Sequence, residues 1–262
     1  MITYSSLLFS LSKPVFCGIG VSIPWKLHLQ QDARILNENK RADLERKIQE
    51  LANKLKIGKP IELLEIKDFN WGVQAQGTAL LPGRVGIVIN PSQLLVTNED
   101  LVTSDAEMEF LIAHELSHIK TNDFLWMVAI PVLCGEITNL AMSILYPSSA
   151  RCFSNPAAYL LFGSPSVLTC RIAVQAIFFF FARWREKCAD RLGFSICSDT
   201  AKGAAFNLFE RTREKNIETR NAQESSVILK YFKRLLFTQD GECRFDLYHP
   251  SLQTRIRYLR QV

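Results

Sequence analysis

At 262 residues the chain is long enough to bury a core without disulfides, as one large domain or two modest ones. Lys and Arg outnumber Asp and Glu by 31 to 26, and a net charge of +5 is too mild and too scattered to argue for nucleic acid. Seven cysteines, with no CxxC pair and with Cys134, Cys170 and Cys188 in apolar or helical stretches, argue against a disulfide framework and fit a reducing compartment.

Residues 1–30 are apolar, but no basic residue precedes Lys13, and Pro14 and Pro24 interrupt the run. They make a poor signal peptide and read as an interfacial or packed segment, or as a first membrane anchor. From about Glu38 to Lys56, Leu44, Ile48, Leu51 and Leu55 recur at steps of three and four, and Gly58 and Pro60 close an amphipathic helix. "IELLEIK" (61–67) reads as a strand, and "VQAQGTALLPGRVGIVIN" as two extended segments joined around Pro82-Gly83, which together predict a small sheet.

Ser104 and Glu107 have capping-box spacing, which starts a helix at about Asp105 and carries it through His118 towards Asn122. Two apolar segments follow, Phe124–Tyr146 and roughly Ser166–Ala182. At about 17–25 residues per spanning helix, both are long enough to cross a bilayer. Their polar residues, Glu136 and Asn139 in the first and Arg171 and Gln175 in the second, would need partners at depth, and a Glu136–Arg171 pair is expected. Lys and Arg are rich on both flanks, whereas the "YPSSARCFSNP" bend holds only Arg151, so the flanks are expected on the cytoplasmic side. Two buried helices of a soluble protein are the plainer alternative. Beyond Trp184, helices are expected at about 200–213, at 222–237 and from Ser251 to Arg260.

The chemistry lies in "HELSH". Positions i and i+4 share a helix face, so His114 and His118 can aim two imidazoles at one cation, with Glu115 beside them as a base. A zinc site of hydrolytic type needs a third protein ligand. "RWREKCADRLG" offers Glu186, with Asp190 one turn later to orient a ligand. Alone, such a pair is usually a solvated helix face; its force comes from partnership with the histidines. A hairpin over 124–182 would return Glu186 to them, although it follows His118 by 68 positions. His28 lies outside these motifs and reads as a surface or packing residue, and Cys188 as packing beside the site.

"HELSHIKTND", an apolar hairpin, "EKCAD" and then "HPSLQTRI" resemble, over roughly residues 38–260, the membrane-bound gluzincin peptidases of the HtpX and CAAX-prenyl-protease superfamily. The resemblance implies that His114, His118 and Glu186 bind one Zn²⁺ per chain, that Glu115 is the general base, and that Asp190 is the aspartate of the "AD" pair. It further implies catalytic roles for His249 and Arg255, the former near the zinc as oxyanion stabiliser or resting-state ligand. "VQAQGTALLPGRVGIVI" would supply an edge strand that pairs with substrate, although "VQAQG" stands where the family has an Asn-Ala-Phe-like element.

The expected fold is α+β and mainly helical, a zincin-like catalytic domain with a small β-sheet and an inserted apolar helical hairpin. Residues 31–123 and 183–262 form the metallopeptidase domain, and 124–182 the hairpin, expected to be transmembrane. The expected function is zinc-dependent endopeptidase, multi-pass in the membrane and facing the cytoplasm. Its partners are protein or peptide substrates, membrane proteins among them, and the lipid bilayer; nucleic acid is not expected. Two alternatives stand beside this reading: a protease specific for prenylated peptides, and a non-catalytic zinc-containing membrane scaffold or binding protein.

Overall fold

The computed structural model describes residues 38–65, 73–76, 85–89, 104–126, 129–130, 132–133, 135–137, 156–222 and 227–262. The expectations for 1–30, His28 and the 147–155 bend lie outside these residues, as does the Glu136–Arg171 pair, since the Arg171 side chain is not among them. The chain divides into two compact units, His28–Phe124 with Arg183–Val262, and Met1–Leu27 with Leu125–Ala182.

In the larger unit, α1 (Glu38–Lys54) buries Leu44, Ile48 and Leu51, the face its spacing predicts. Three strands follow: β1 (Ile61–Glu65), β2 (Val73–Gln76) and β3 (Val85–Ile89), in the order β1-β3-β2. β3 runs parallel to β1, pairing Ile61 with Val85, and antiparallel to β2, pairing Val73 with Ile89. As the central strand, β3 is buried at every residue, which explains why its sequence is an unbroken apolar run rather than an alternation.

α2 (Asp105–Lys120) opens on the predicted capping box. Ser104 Oγ accepts from the Glu107 amide at 3.2 Å, and the Ser104 amide donates to Glu107 Oε2 at 2.9 Å. Met108, Phe110, Ile112, Ala113, Leu116 and Ile119 are all buried, so this helix runs through the core. Its hydrophobic residues surround it instead of forming a stripe, as suits a helix covered on several sides. Glu109 joins it to two other helices: one carboxylate oxygen accepts from Lys47 on α1 at 2.7 Å, the other from the amide of Ser198 at 2.8 Å.

Four further helices complete the described chain: α3 (Pro156–Ile196), α4 (Asp199–Asn221, capped by Ser198), α5 (Val227–Leu236) and α6 (Leu252–Leu259, capped by Ser251). α4 continues well past the expected end at 213, because "EKNIETRN" contains neither Gly nor Pro to stop it. The result is a mainly helical α+β fold with one small sheet.

The expected apolar insertion falls largely in the smaller unit. Of its first arm, the described residues 123–126, 129–130, 132–133 and 135–137 are helical. The second arm lies within the 41-residue α3, where Arg171 and Gln175 interrupt the apolar run. Among the described residues no helix is long and apolar enough to cross a membrane. Here Trp126 and Phe181 approach with ring centroids 6.1 Å apart, while Leu133, Ile137, Ile172, Ile177 and Phe180 are exposed.

Candidate metal centre

The site forms where α2 meets the last turns of α3. On α3, Glu186, Asp190 and Gly193 recur at steps of four and three, so all three share the face turned towards α2. Gly193 permits the approach, since a Cβ there would lie 2.8 Å from the amide nitrogen of His114. Only a residue without a side chain lets the two backbones come so near.

The three expected ligands converge. His114 Nε2 and His118 Nε2 are 3.0 Å apart, and ligand atoms of His114, His118 and Glu186 all lie within 4.8 Å of one another. Glu186 Oε1 is 3.3 Å from His118 Nε2, and Oε2 is 3.5 Å from His114 Nε2. These are ion-pair distances rather than aligned hydrogen bonds: Glu186 Oε2 is buried with no hydrogen-bond partner. Two imidazole nitrogens and a buried carboxylate oxygen facing one another are a nitrogen and oxygen donor set that suits Zn²⁺ and leaves a fourth position open.

Each histidine is held from its far side. His114 Nδ1 lies 2.9 Å from Oδ1 of the fully buried Asp190, an ion-pair distance without the alignment of a hydrogen bond. His118 Nδ1 lies 2.6 Å from Oδ2 of Asp123. A carboxylate on the second ring nitrogen sets the tautomer so that Nε2 presents its lone pair to a cation. Asp190 in turn accepts from Arg255 Nε at 2.8 Å and Nη2 at 2.5 Å, and from the Tyr258 hydroxyl. Asp123 pairs with Arg185 and accepts from Thr121 Oγ1 at 2.8 Å, while Arg185 also donates to the Thr121 carbonyl at 2.9 Å.

Charge and burial oppose one another here. Burial alone would lower His114, but the facing carboxylates of Asp190 and Glu186 outweigh it and raise it to about 9; His118 is raised against burial by Glu186. Burial would raise both acids. Instead His114 and His118 hold Glu186 well below its ordinary range, and Arg255 and His114 hold Asp190 at about 2.

The remaining predicted residues fall at different places. Glu115 is half-buried on α2, and its charge is among those that raise His118. His249 Nε2 stands 3.6 Å from Glu186 Oε2, and its Nδ1 is 2.9 Å from Asp246, which raises the ring's basicity. Arg255 lies against Asp190, with its guanidinium 4.4 Å from the Phe209 ring centre. Sequence reasoning passed over Asp123, Arg185, Tyr258 and Gly193. A signal for Asp123 is present in "KTND": Asn122 adopts a left-handed φ of 57°, ends α2 and turns the next residue back towards His118.

Comparison with known proteins bears on the same residues. The sequence profile of peptidase family M48 matches residues 38–262. The chain is similar to a protein described as "Protease HtpX homolog" from Pyrococcus furiosus, 27% identical over 241 residues that cover 88% of this chain and 77% of the relative. A protein of the same description from Thermococcus sibiricus is 28% identical over 239 residues, with the same coverage. Another from Gemmatimonas aurantiaca is 24% identical over 159 residues, 61% of this chain and 57% of the relative.

Proposed function

The chain belongs to peptidase family M48 and is a metallopeptidase, and we propose that it is a zinc-dependent endopeptidase acting on protein substrates at a membrane. The observation that carries the metal assignment is the buried Glu186 Oε2, without a hydrogen-bond partner, facing two histidines whose other ring nitrogens lie 2.9 Å from Asp190 and 2.6 Å from Asp123. His114, His118 and Glu186 hold the ion. When bound, zinc supplies a Lewis acid that acidifies a water and polarises the scissile carbonyl.

The chain's own groups do the rest. Glu115, one residue from His114, takes the proton of the attacking water and passes it to the departing amine. His249, 3.6 Å from Glu186, is a hydrogen-bond donor to the oxyanion that develops on the carbonyl. Arg255 acts through Asp190, and so through the orientation of His114. β2, an edge strand among the described residues, would pair its outer side with the backbone of an extended substrate.

Membrane residence, with two spans over 124–182 and the metal-bearing unit on the cytoplasmic side, belongs to the same proposal. Its supports are the Lys- and Arg-rich flanks and the exposed apolar residues of the smaller unit, such as Ile137, Ile172 and Phe180.

The test is metal analysis combined with a cleavage assay in detergent. Glu115→Gln should keep its zinc and lose on the order of 10²–10⁴-fold in rate. Chelator-sensitive proteolysis that persists at the wild-type rate would overturn the assignment, and purified protein without zinc would overturn the choice of metal.

A further inference from the structure

α5 turns its apolar face outward. Ile228, Tyr231, Phe232 and Leu235, spaced i, i+3, i+4 and i+7, are 80%, 69%, 54% and 41% exposed. The helix contains no acidic residue, and Lys230, Lys233 and Arg234 occupy its other side. Polar contacts help to fasten it: Arg220 of α4 donates to the carbonyls of Arg234 and Phe237, each at 2.8 Å, and the Arg244 amide donates to the Leu236 carbonyl at 2.9 Å. The four outward side chains therefore serve no core.

A second feature lies on the cationic side of the same helix. Arg220, Asn221, Arg234 and Gln239 line a polar cavity of about 420 Å³. Guanidinium groups match phosphate oxygens in both charge and fork geometry. We propose that α5 is an interfacial lipid-binding element: its apolar face enters the headgroup and acyl boundary of an anionic membrane, and the phosphate of an anionic phospholipid occupies the Arg220–Arg234 cleft.

An acidic protein would satisfy the cations but leave four large apolar side chains without a match. A bilayer satisfies both, because Lys230 and Lys233 can extend along the helix and reach headgroup phosphates while the rings enter hydrocarbon. Phe245, Leu247 and Tyr248, which precede His249 in the chain, are exposed as well. Substrates would thus be met at the bilayer surface; that consequence rests on the peptidase reading, whereas the lipid contact does not.

The full chain is reconstituted into phosphatidylcholine bilayers doped with phosphatidylglycerol carrying a photoactivatable acyl chain, and labelled residues are mapped by mass spectrometry. Labels are expected on Ile228, Tyr231, Phe232 or Leu235. The double variant Lys230→Gln/Arg234→Gln, both positions being exposed, should reduce them roughly thirtyfold at about fivefold per cation. Labelling at 166–182 should stay unchanged. Labels at 166–182 alone would overturn the proposal and leave the membrane-spanning reading intact; labels on α5 alone would support it and remove the spanning reading. Absence of labels at both would overturn the two together. Equal labelling by photoactivatable phosphatidylcholine, or an undiminished signal in the variant, would overturn the anionic preference.

Discussion

His118 owes its orientation to one carboxylate, Asp123, which is itself fixed by Arg185 and Thr121. Asp123→Asn keeps the shape of the side chain but removes the charge that makes the ring a better donor. Zinc affinity should fall by about 10–100-fold, as seen when outer carboxylates of metal-bound histidines are replaced. Competition with a chelator reads this directly, at a temperature where circular dichroism shows the fold intact. An unchanged affinity would mean that Asp123 serves only to hold Arg185. The same reasoning explains why Asp190 carries so many partners: a fully buried carboxylate is tolerated because Arg255, Tyr258 and His114 surround it.

Between elements, the decisive contact is the one between α2 and α3 at Gly193. Gly193→Ala places a methyl 2.8 Å from the His114 amide nitrogen, so the helices must separate. A cost of about 1–3 kcal/mol is expected, seen as a fall of several degrees in Tm together with weaker zinc binding. Gly203→Ala is the matched control, because nothing lies within 4 Å of its Cβ. There the better helix propensity of alanine should stabilise the protein by up to about 1 kcal/mol. Equal effects at the two sites would refute the close-approach account.

Glu109 makes the corresponding prediction for α1, α2 and α4. Burial would raise its carboxyl, but hydrogen bonds from Lys47 and Ser198 hold it below its ordinary value. A carboxyl depressed in the folded state contributes stability that is complete above the unfolded value and disappears as pH falls through the folded one. Glu109→Gln should therefore cost roughly 1–3 kcal/mol at neutral pH. The difference from wild type should shrink as denaturation is followed down through the acidic range, and a gap that stays constant with pH would contradict it.

At the scale of the whole molecule, metal and core are separable. The hydrophobic core runs from Leu44 to Leu259 through α1, β3, α2, α4 and α6, and none of the three ligands belongs to it. Removing zinc with a chelator should leave the far-ultraviolet circular dichroism almost unchanged and lower Tm, because binding favours the folded state. At free zinc about 100 times Kd the difference is about 2.7 kcal/mol. Loss of helical signal on chelation would instead mean that the metal is required for folding, as in small zinc modules.

Local order along the chain was legible without coordinates wherever one segment carried the whole signal. The face of α1, the capping box at Ser104 and the i, i+4 pair of His114 and His118 each depend on neighbours within a turn or two. Family membership was legible too, because "HELSH", "EKCAD" and "HPSLQTRI" occur in order. The expected membrane-spanning hairpin found no such support, since among the described residues no helix is long and apolar enough to cross a membrane. Asp123, Gly193 and the placing of Arg255 on Asp190 were invisible for a different reason. Each depends on how closely α2, α3 and α6 approach one another, and that distance is set by packing between segments far apart in the chain, which no local pattern encodes.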